Sequence, residues 1–305
     1  MDKDCLVLVN AKSGGGHPDG DAGDLAARFA AAGLRADVRL LEPEDDIGSL
    51  VRDALQRGVR LVVGGGGDGT INQVASALAD SEARLGVLPL GTLNHFAKDL
   101  GLPLELEAAV ERVARGPIER VDIGEVNGHV FINNSSLGLY PAIVRDRELQ
   151  RKRLGRGKWT ALVWASLGAL RRFPFLSARL SVDGVERRLR TPFVFIGNNE
   201  YLMEGFAIGE RDRLDGGRLS VYVVQRASRA SLLLLALRAL VGRLRQARDF
   251  EAMLAGEIVV ESRHRRLRVA TDGEITLMAP PLRYRIRPKA LLVVAGTRAD
   301  SAPDA

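Results

Sequence analysis

The stretch VRLVVGGGGDGTINQVASAL, residues 59–78, decides the fold. Its apolar run at 59–63 reads as a buried strand, and the apolar positions of 72–78 read as one face of a helix. Between them stand Gly64, Gly65, Gly66, Gly67, Asp68, Gly69 and Thr70. Successive glycines let backbone N–H groups approach an anion unobstructed, and a helix N-terminus adds unpaired donors and a dipole that favours phosphate. Asp68 would be repelled by bare phosphate, so it suits a water-mediated Mg²⁺ or a helix cap. Gly64, Gly66 and Gly69 match G-x-G-x-x-G, but the next strand ends Val87-Leu88-Pro89-Leu90-Gly91 and supplies no ribose-binding acid. The lysine-bearing G-x-x-x-x-G-K-[ST] loop does not occur. A tight strand-to-helix turn without a ligand is the alternative reading.

Outward from this stretch the same alternation repeats. Strands are expected at 6–10, 36–41 and 85–88. Helix faces are marked by Leu25, Ala26, Phe29 and Ala30, by Ile47, Leu50, Val51 and Ala54 up to Gly58, and by Leu106, Ala109, Val110 and Val113. A β-α-β-α order of this kind predicts a mostly parallel sheet with helices on both faces. Two more loops leave strand ends: Asn10-Ala11-Lys12-Ser13-Gly14, and a run from Pro89 to Gly101 in which Thr92 and Asn94 can hydrogen-bond while Phe96 packs inward. Ligand-facing loops of a parallel sheet lie at one edge, so the three are expected to converge.

Beyond residue 120 the pattern changes to short β runs at 130–133, 179–182, 192–196, 218–224, 257–260, 267–270, 275–278 and 284–287. Asp183-Gly184, Asp215-Gly216 and Asp272-Gly273 punctuate them as turns. An antiparallel β-sandwich is expected, with helical inserts at 158–171 and 228–246. The all-apolar run 290–295 resembles a buried parallel strand, which sets the expected domains at 1–120 and 121–288 with 289–296 returning to the first.

Charge separates the two halves. Residues 1–120 carry 13 basic and 19 acidic side chains, and residues 121–305 carry 31 and 19, within a net charge of +6. A basic second half suits an anionic partner. Arginines with few aromatics among them and no reader motif argue against nucleic acid. One cysteine excludes an internal disulfide. The longest apolar stretch, 232–241, is interrupted by Arg238 and falls short of the roughly 20 residues that cross a bilayer. Trp159, Leu162, Val163, Leu167 and Leu170 beside Arg171 and Arg172, and Leu237, Leu240, Val241 and Leu244 beside Arg243 and Arg245, suit an anionic lipid surface, the sandwich itself or a dimer contact.

Taken together the loops resemble the diacylglycerol kinase catalytic fold family, which includes bacterial soluble diacylglycerol and phosphatidylglycerol kinases, sphingosine kinases and ceramide kinases. Gly66-Gly67-Asp68-Gly69-Thr70 is similar to a motif shared with NAD kinases and 6-phosphofructokinases, whereas Leu90-Gly91-Thr92-x-Asn94-x-Phe96-Ala97 narrows the resemblance to lipid kinases. The resemblance implies an α/β nucleotide domain, a β-rich lipid-binding domain and an active site between them. It implies ATP contacts from Asn10, Ala11, Lys12, Ser13, Gly14, Gly66, Gly67, Asp68, Gly69, Thr70, Ile71, Asn72, Thr92 and Asn94. It also implies catalytic roles for Asp68, Asp272 and Glu274, and a secondary Mg²⁺ site at Asp212, Asp215 and Gly217. Two positions depart from the pattern: Ala11 replaces a frequent proline, and His95 replaces a frequent aspartate, for which Asp99 one helical turn on can partly compensate. The expected activity is ATP-dependent phosphorylation of a lipid hydroxyl, of diacylglycerol or a related glycerolipid. The expected location is cytoplasmic, with peripheral contact to an anionic membrane surface, and a homodimer is left open. A kinase of a soluble metabolite such as NAD, and a lipid- or nucleotide-binding protein weakened at His95, are the alternatives.

Overall fold

The computed structural model describes residues 3–10, 22–138, 176–202, 210–224 and 250–296. Two compact units emerge, one of Met1–Ile123, Arg213–Gly216 and Arg287–Ala305, the other of Gly124–Asp212 and Gly217–Ile286.

The first unit contains β1 (Cys5–Val9), α1 (Ala22–Ala31), β2 (Ala36–Leu40), α2 (Ile47–Gln56), β3 (Leu61–Gly65), α3 (Asp68–Leu78), β4 (Arg84–Leu88), α4 (His95–Asp99) and α5 (Leu106–Arg115). The strands pair in the order β2-β1-β3-β4, all parallel, and Leu292 and Val293 add a further parallel pairing to Arg84 and Leu85. β1 and β3 are buried along their whole length, as strands covered on both faces must be. Phe29 of α1 and Val110 and Val113 of α5 pack with Val7, Val63 and Leu88 in one core.

In the second unit and at its borders lie β5 (Ile118–Val126), β6 (His129–Phe131), β7 (Asn134–Gly138), β8 (Leu176–Val182), β9 (Val185–Thr191), β10 (Phe193–Asn198), β11 (Leu219–Val224), β12 (Phe250–Ala255), β13 (Glu257–Ser262), β14 (Leu267–Thr271), β15 (Glu274–Met278) and β16 (Leu282–Val294). One antiparallel sheet runs β12-β11-β10-β7-β14-β15, and a second joins β9, β8, β13 and the first part of β16. β8 alternates buried Leu176, Ala178 and Leu180 with exposed Ser177 and Arg179, the period of two that a sheet with one covered face imposes. Leu137, Val221, Ile258 and Tyr284 lie in the shared core of this sandwich. The α/β-plus-sandwich architecture matches the expectation.

Several boundaries differ, each for a physical reason. The strand placed at 59–63 is β3 at Leu61–Gly65, so two glycines of the loop are strand residues. A Cβ on Gly64 would lie 3.1 Å from Ile71 Cδ1, so the bare position lets α3 pack close. The run 130–133 is not one strand: Ile132 and Asn133 turn their amides onto the Asp272 carboxylate instead of a ladder, and β7 starts afresh at Asn134. The runs 284–287 and 290–295 form the single β16, which passes through Pro288 and a left-handed Lys289 (φ 53°). β5, β9 and β12 were not expected; β9 reads VERRLRT, the charged composition that blunts a sheet edge. The segments 158–171 and 228–246 lie outside the described residues.

Gly124 pairs with Phe131 across β5 and β6, and a Cβ there would run into the buried Phe131 ring. Gly124→Ala is expected to cost about 1–3 kcal/mol through overpacking, read as a lower thermal midpoint. An unchanged midpoint contradicts this close packing.

Candidate functional site

In the first unit Asn10 at the end of β1 and the loops after β3 and β4 come together. Asn10 donates its backbone N–H to Gly65 O at 2.9 Å and its side-chain Nδ2 to Thr70 Oγ1 at 3.4 Å. A Cβ on Gly91 would stand 2.5 Å from Gly67 Cα, so the β3 and β4 loops meet through two glycines and tolerate no side chain at Gly91. Gly67 itself faces open space apart from that contact, with the nearest atom 3.9 Å from a hypothetical Cβ. It is the N-cap of α3 and offers no capping side chain, so the first-turn amides are presented in the way that suits an anion.

Asp68 does not cap its own helix. Its Oδ2 accepts the His95 N–H at 3.4 Å and its Oδ1 accepts the Phe96 N–H at 3.3 Å, which places the carboxylate over the start of α4. The residue is half-buried, and a carboxylate at a loop junction is the hard-oxygen donor that Mg²⁺ takes. The backbone of His95 makes this contact while the residue remains exposed. A neutral imidazole there supplies no carboxylate, and α4 sets Asp99 on the same side one turn later.

The other expected nucleotide contacts divide into two groups. Gly66, Gly67, Gly69 and exposed Thr92 belong to the convergent edge. Thr70, Ile71 and Asn72 are buried, at 8%, 3% and 7% exposure, so their side chains support the loop from beneath. Asn94 has a left-handed backbone (φ 51°), and its side chain accepts from Gly91 N and donates to Pro89 O and Gly91 O, each at 2.9 Å. Both ends of that amide therefore shape their own loop. Ala11, Lys12, Ser13 and Gly14 lie outside the described residues.

In the second unit Asp272 occupies the left-handed corner of the β14–β15 hairpin (φ 47°). Its Oδ2 accepts Ile132 N at 2.8 Å, and its Oδ1 accepts Asn133 N and Asn134 N at 2.9 Å each. The turn backbone reaches the surface, but burial around the carboxyl pushes its pKa up to about 7 against the opposing pull of the three amides and Arg211. The residue as a whole is only half-buried, so the inward-facing carboxyl carries this effect. Glu274 opens β15 opposite Thr271 and is exposed.

Of the expected secondary cation set, Asp212 and Asp215 are exposed and Gly217 has φ 67°. Arg213 Nε donates to Asp215 Oδ1 at 2.9 Å and holds that carboxyl below its ordinary range. Among the described residues no three His, Cys, Asp or Glu side chains cluster for a metal. Of the buried charged residues not singled out from sequence, Asp122 and Arg211 are the most deeply placed. Asp122 is 1% exposed, and its Oδ1 accepts Lys289 N at 2.8 Å; an acid between the apolar Val121 and Ile123 was the available signal. Arg211 is 5% exposed and stands among Glu210, Asp212 and Arg213, so it reads as part of a solvated loop.

Comparison with known proteins agrees with this arrangement. Residues 4–126 match the diacylglycerol kinase catalytic domain, and residues 141–295 match the YegS C-terminal NAD kinase beta sandwich-like domain. A Pseudomonas aeruginosa PAO1 protein named "Probable lipid kinase YegS-like" is 32% identical over 229 residues, 73% of each chain. A solved structure of a candidate diacylglycerol kinase from Bacillus anthracis str. Sterne superposes with a TM-score of 0.76 at 22% identity, covering 97% of this chain and 98% of that one. The yeast NADH kinase structure shares the fold more distantly, with a TM-score of 0.56 at 11% identity, covering 98% and 86%. With both domains matched and a relative aligned over most of its length, the chain belongs to the YegS-like lipid kinases that carry the diacylglycerol kinase catalytic domain.

Proposed function

We propose that the chain transfers the γ-phosphoryl group of ATP, with Mg²⁺, to a hydroxyl of diacylglycerol or a related glycerolipid. The observation that carries this reading is the meeting of the loops after β3 and β4 at Asp68, beside the β1 end at Asn10, with glycines where backbone must stand close to phosphate. Gly66, Gly67 and Gly69 with the α3 N-terminus would hold the phosphates, and Asp68 would hold the hydrated cation. Bound there, Mg²⁺ neutralises charge that develops on the phosphoryl oxygens.

Asp272 is the proposed general base. It orients the lipid hydroxyl and takes its proton as the new O–P bond forms and the bond to the β-phosphate bridging oxygen breaks, with ADP leaving. Its raised pKa suits a carboxylate that must gain a proton near neutrality. Glu274, two residues on, is a second candidate carboxylate at the same hairpin. A cytoplasmic location with peripheral contact to anionic lipid through the basic second half completes the proposal. No helix among the described residues is long and apolar enough to cross a membrane.

Purified protein with labelled ATP and Mg²⁺ is expected to label diacylglycerol in mixed micelles and to leave NAD unlabelled. Asp272→Asn is expected to lower the rate by about 10²-fold or more. Label in NAD selects a soluble acceptor, and nucleotide binding without transfer to any acceptor contradicts the activity.

The pH dependence follows from the sign of the Asp272 shift. Below about pH 7 the carboxyl holds its proton and cannot act as base, so kcat/KM falls as pH falls and levels off above that value. A flat profile between about pH 5.5 and pH 8 contradicts Asp272 as the titrating base.

A further inference from the structure

We propose that Arg211 is a positioning residue for the Asp272 carboxylate, acting through the peptide groups of the 132–134 corner; the inference rests on the reading of Asp272 as the base. A guanidinium taken out of water must find acceptors for its N–H groups. Arg211 Nη1 donates to Ile132 O at 2.7 Å and to Asn198 O at 3.1 Å, while Nη2 donates to Asn133 Oδ1 at 2.8 Å. Its guanidinium carbon lies 5.4 Å from the centre of the Tyr201 ring, a cation–π stack that fixes the plane of the fork. These three acceptors are neutral groups.

The Ile132 carbonyl and the Asn133 N–H belong to one peptide group. Arg211 binds the carbonyl end, and the N–H end donates to Asp272 Oδ1. A cation on the oxygen polarises the peptide and strengthens donation from its nitrogen. The next peptide repeats the pattern with a neutral donor: Asn198 N–H binds Asn133 O, and Asn134 N–H binds Asp272 Oδ1. Asn198 Nδ2 adds a second bond to Ile132 O at 2.9 Å. Arg211 thus holds the corner from behind while the corner holds the carboxylate in front.

Among the described residues around Asp272, Arg211 is the charged group that acts on the carboxyl. Ile132, Asn133 and Asn134 at the corner, Ser135 and Ser136 of β7 and Thr271 of β14 are neutral, and Glu274 of β15 is exposed. Removing the Arg211 charge therefore withdraws support for the ionised form, an effect that a packing role alone would not produce.

The test is a pH series of steady-state phosphoryl transfer by wild type, Arg211→Met, Arg211→Lys and Asp272→Asn, with thermal melts of each. Arg211→Met is expected to lower kcat about tenfold or more with the KM for ATP changed by less than about twofold. Its acidic limb is expected to move upward by about one pH unit or more. Arg211→Lys keeps the charge without the fork, so its limb stays near that of wild type while kcat falls at least about threefold. An unmoved limb in Arg211→Met, with a loss of rate that follows its melting temperature, overturns the inference. Should the Met variant not fold, an Arg211→Lys enzyme with wild-type kcat and limb overturns it. An Asp272→Asn enzyme of near wild-type rate overturns the reading of the base and the inference with it. An inactive Asp272→Asn enzyme beside an unmoved Arg211→Met limb overturns the inference alone.

Discussion

A carboxylate resting on backbone amides organises the loop edge of the first unit. Asp68 stands on the first turn of α3, yet it bonds the His95 and Phe96 N–H groups that begin α4. The contact ties the loop after β3 to the loop after β4, and the Gly67–Gly91 approach allows the two backbones to close on each other. Substituting a side chain at Gly91 would force these loops apart, and removing the Asp68 oxygens would leave the α4 amides without that acceptor. The charge thereby kept at the junction is also the one that a magnesium-dependent transfer requires.

The second unit uses the same device for a different end. Asp272 gathers three consecutive amides from the 132–134 corner, and the chain there cannot continue as a strand because its donors face a carboxylate. Short neutral N–H bonds favour the ionised form while burial disfavours it. The balance leaves the group near neutrality, where a base can both give and take a proton. Structural anchoring and the proposed role as base thus draw on one geometry.

The elements legible in the sequence were those whose burial is periodic. β1 and β3 are continuous apolar runs, α2 spaces Ile47, Val51 and Ala54 on one face, and β8 alternates cleanly. What escaped has a local reason. β9 carries charge along its exposed edge, and β16 contains a proline and a left-handed lysine that read as a break. The glycine loop, Asp68 and the Asp272–Gly273 turn stood out because their residue types are costly elsewhere. Asp122 and Arg211 did not, because burial of a charged side chain is decided by partners distant in sequence: Lys289 for one, Ile132 and Asn133 for the other.

The central claim is that Asp68 makes the junction of these loops a magnesium-dependent nucleotide site. Calorimetric titration with a non-hydrolysable ATP analogue, with and without Mg²⁺, tests it most directly. The Asp68→Asn variant keeps an oxygen for the α4 amides and removes the charge. The account predicts that Mg²⁺ tightens binding to wild type and that the variant loses this enhancement while retaining its fold. Equal affinity with and without Mg²⁺, or an enhancement that survives Asp68→Asn, would contradict it.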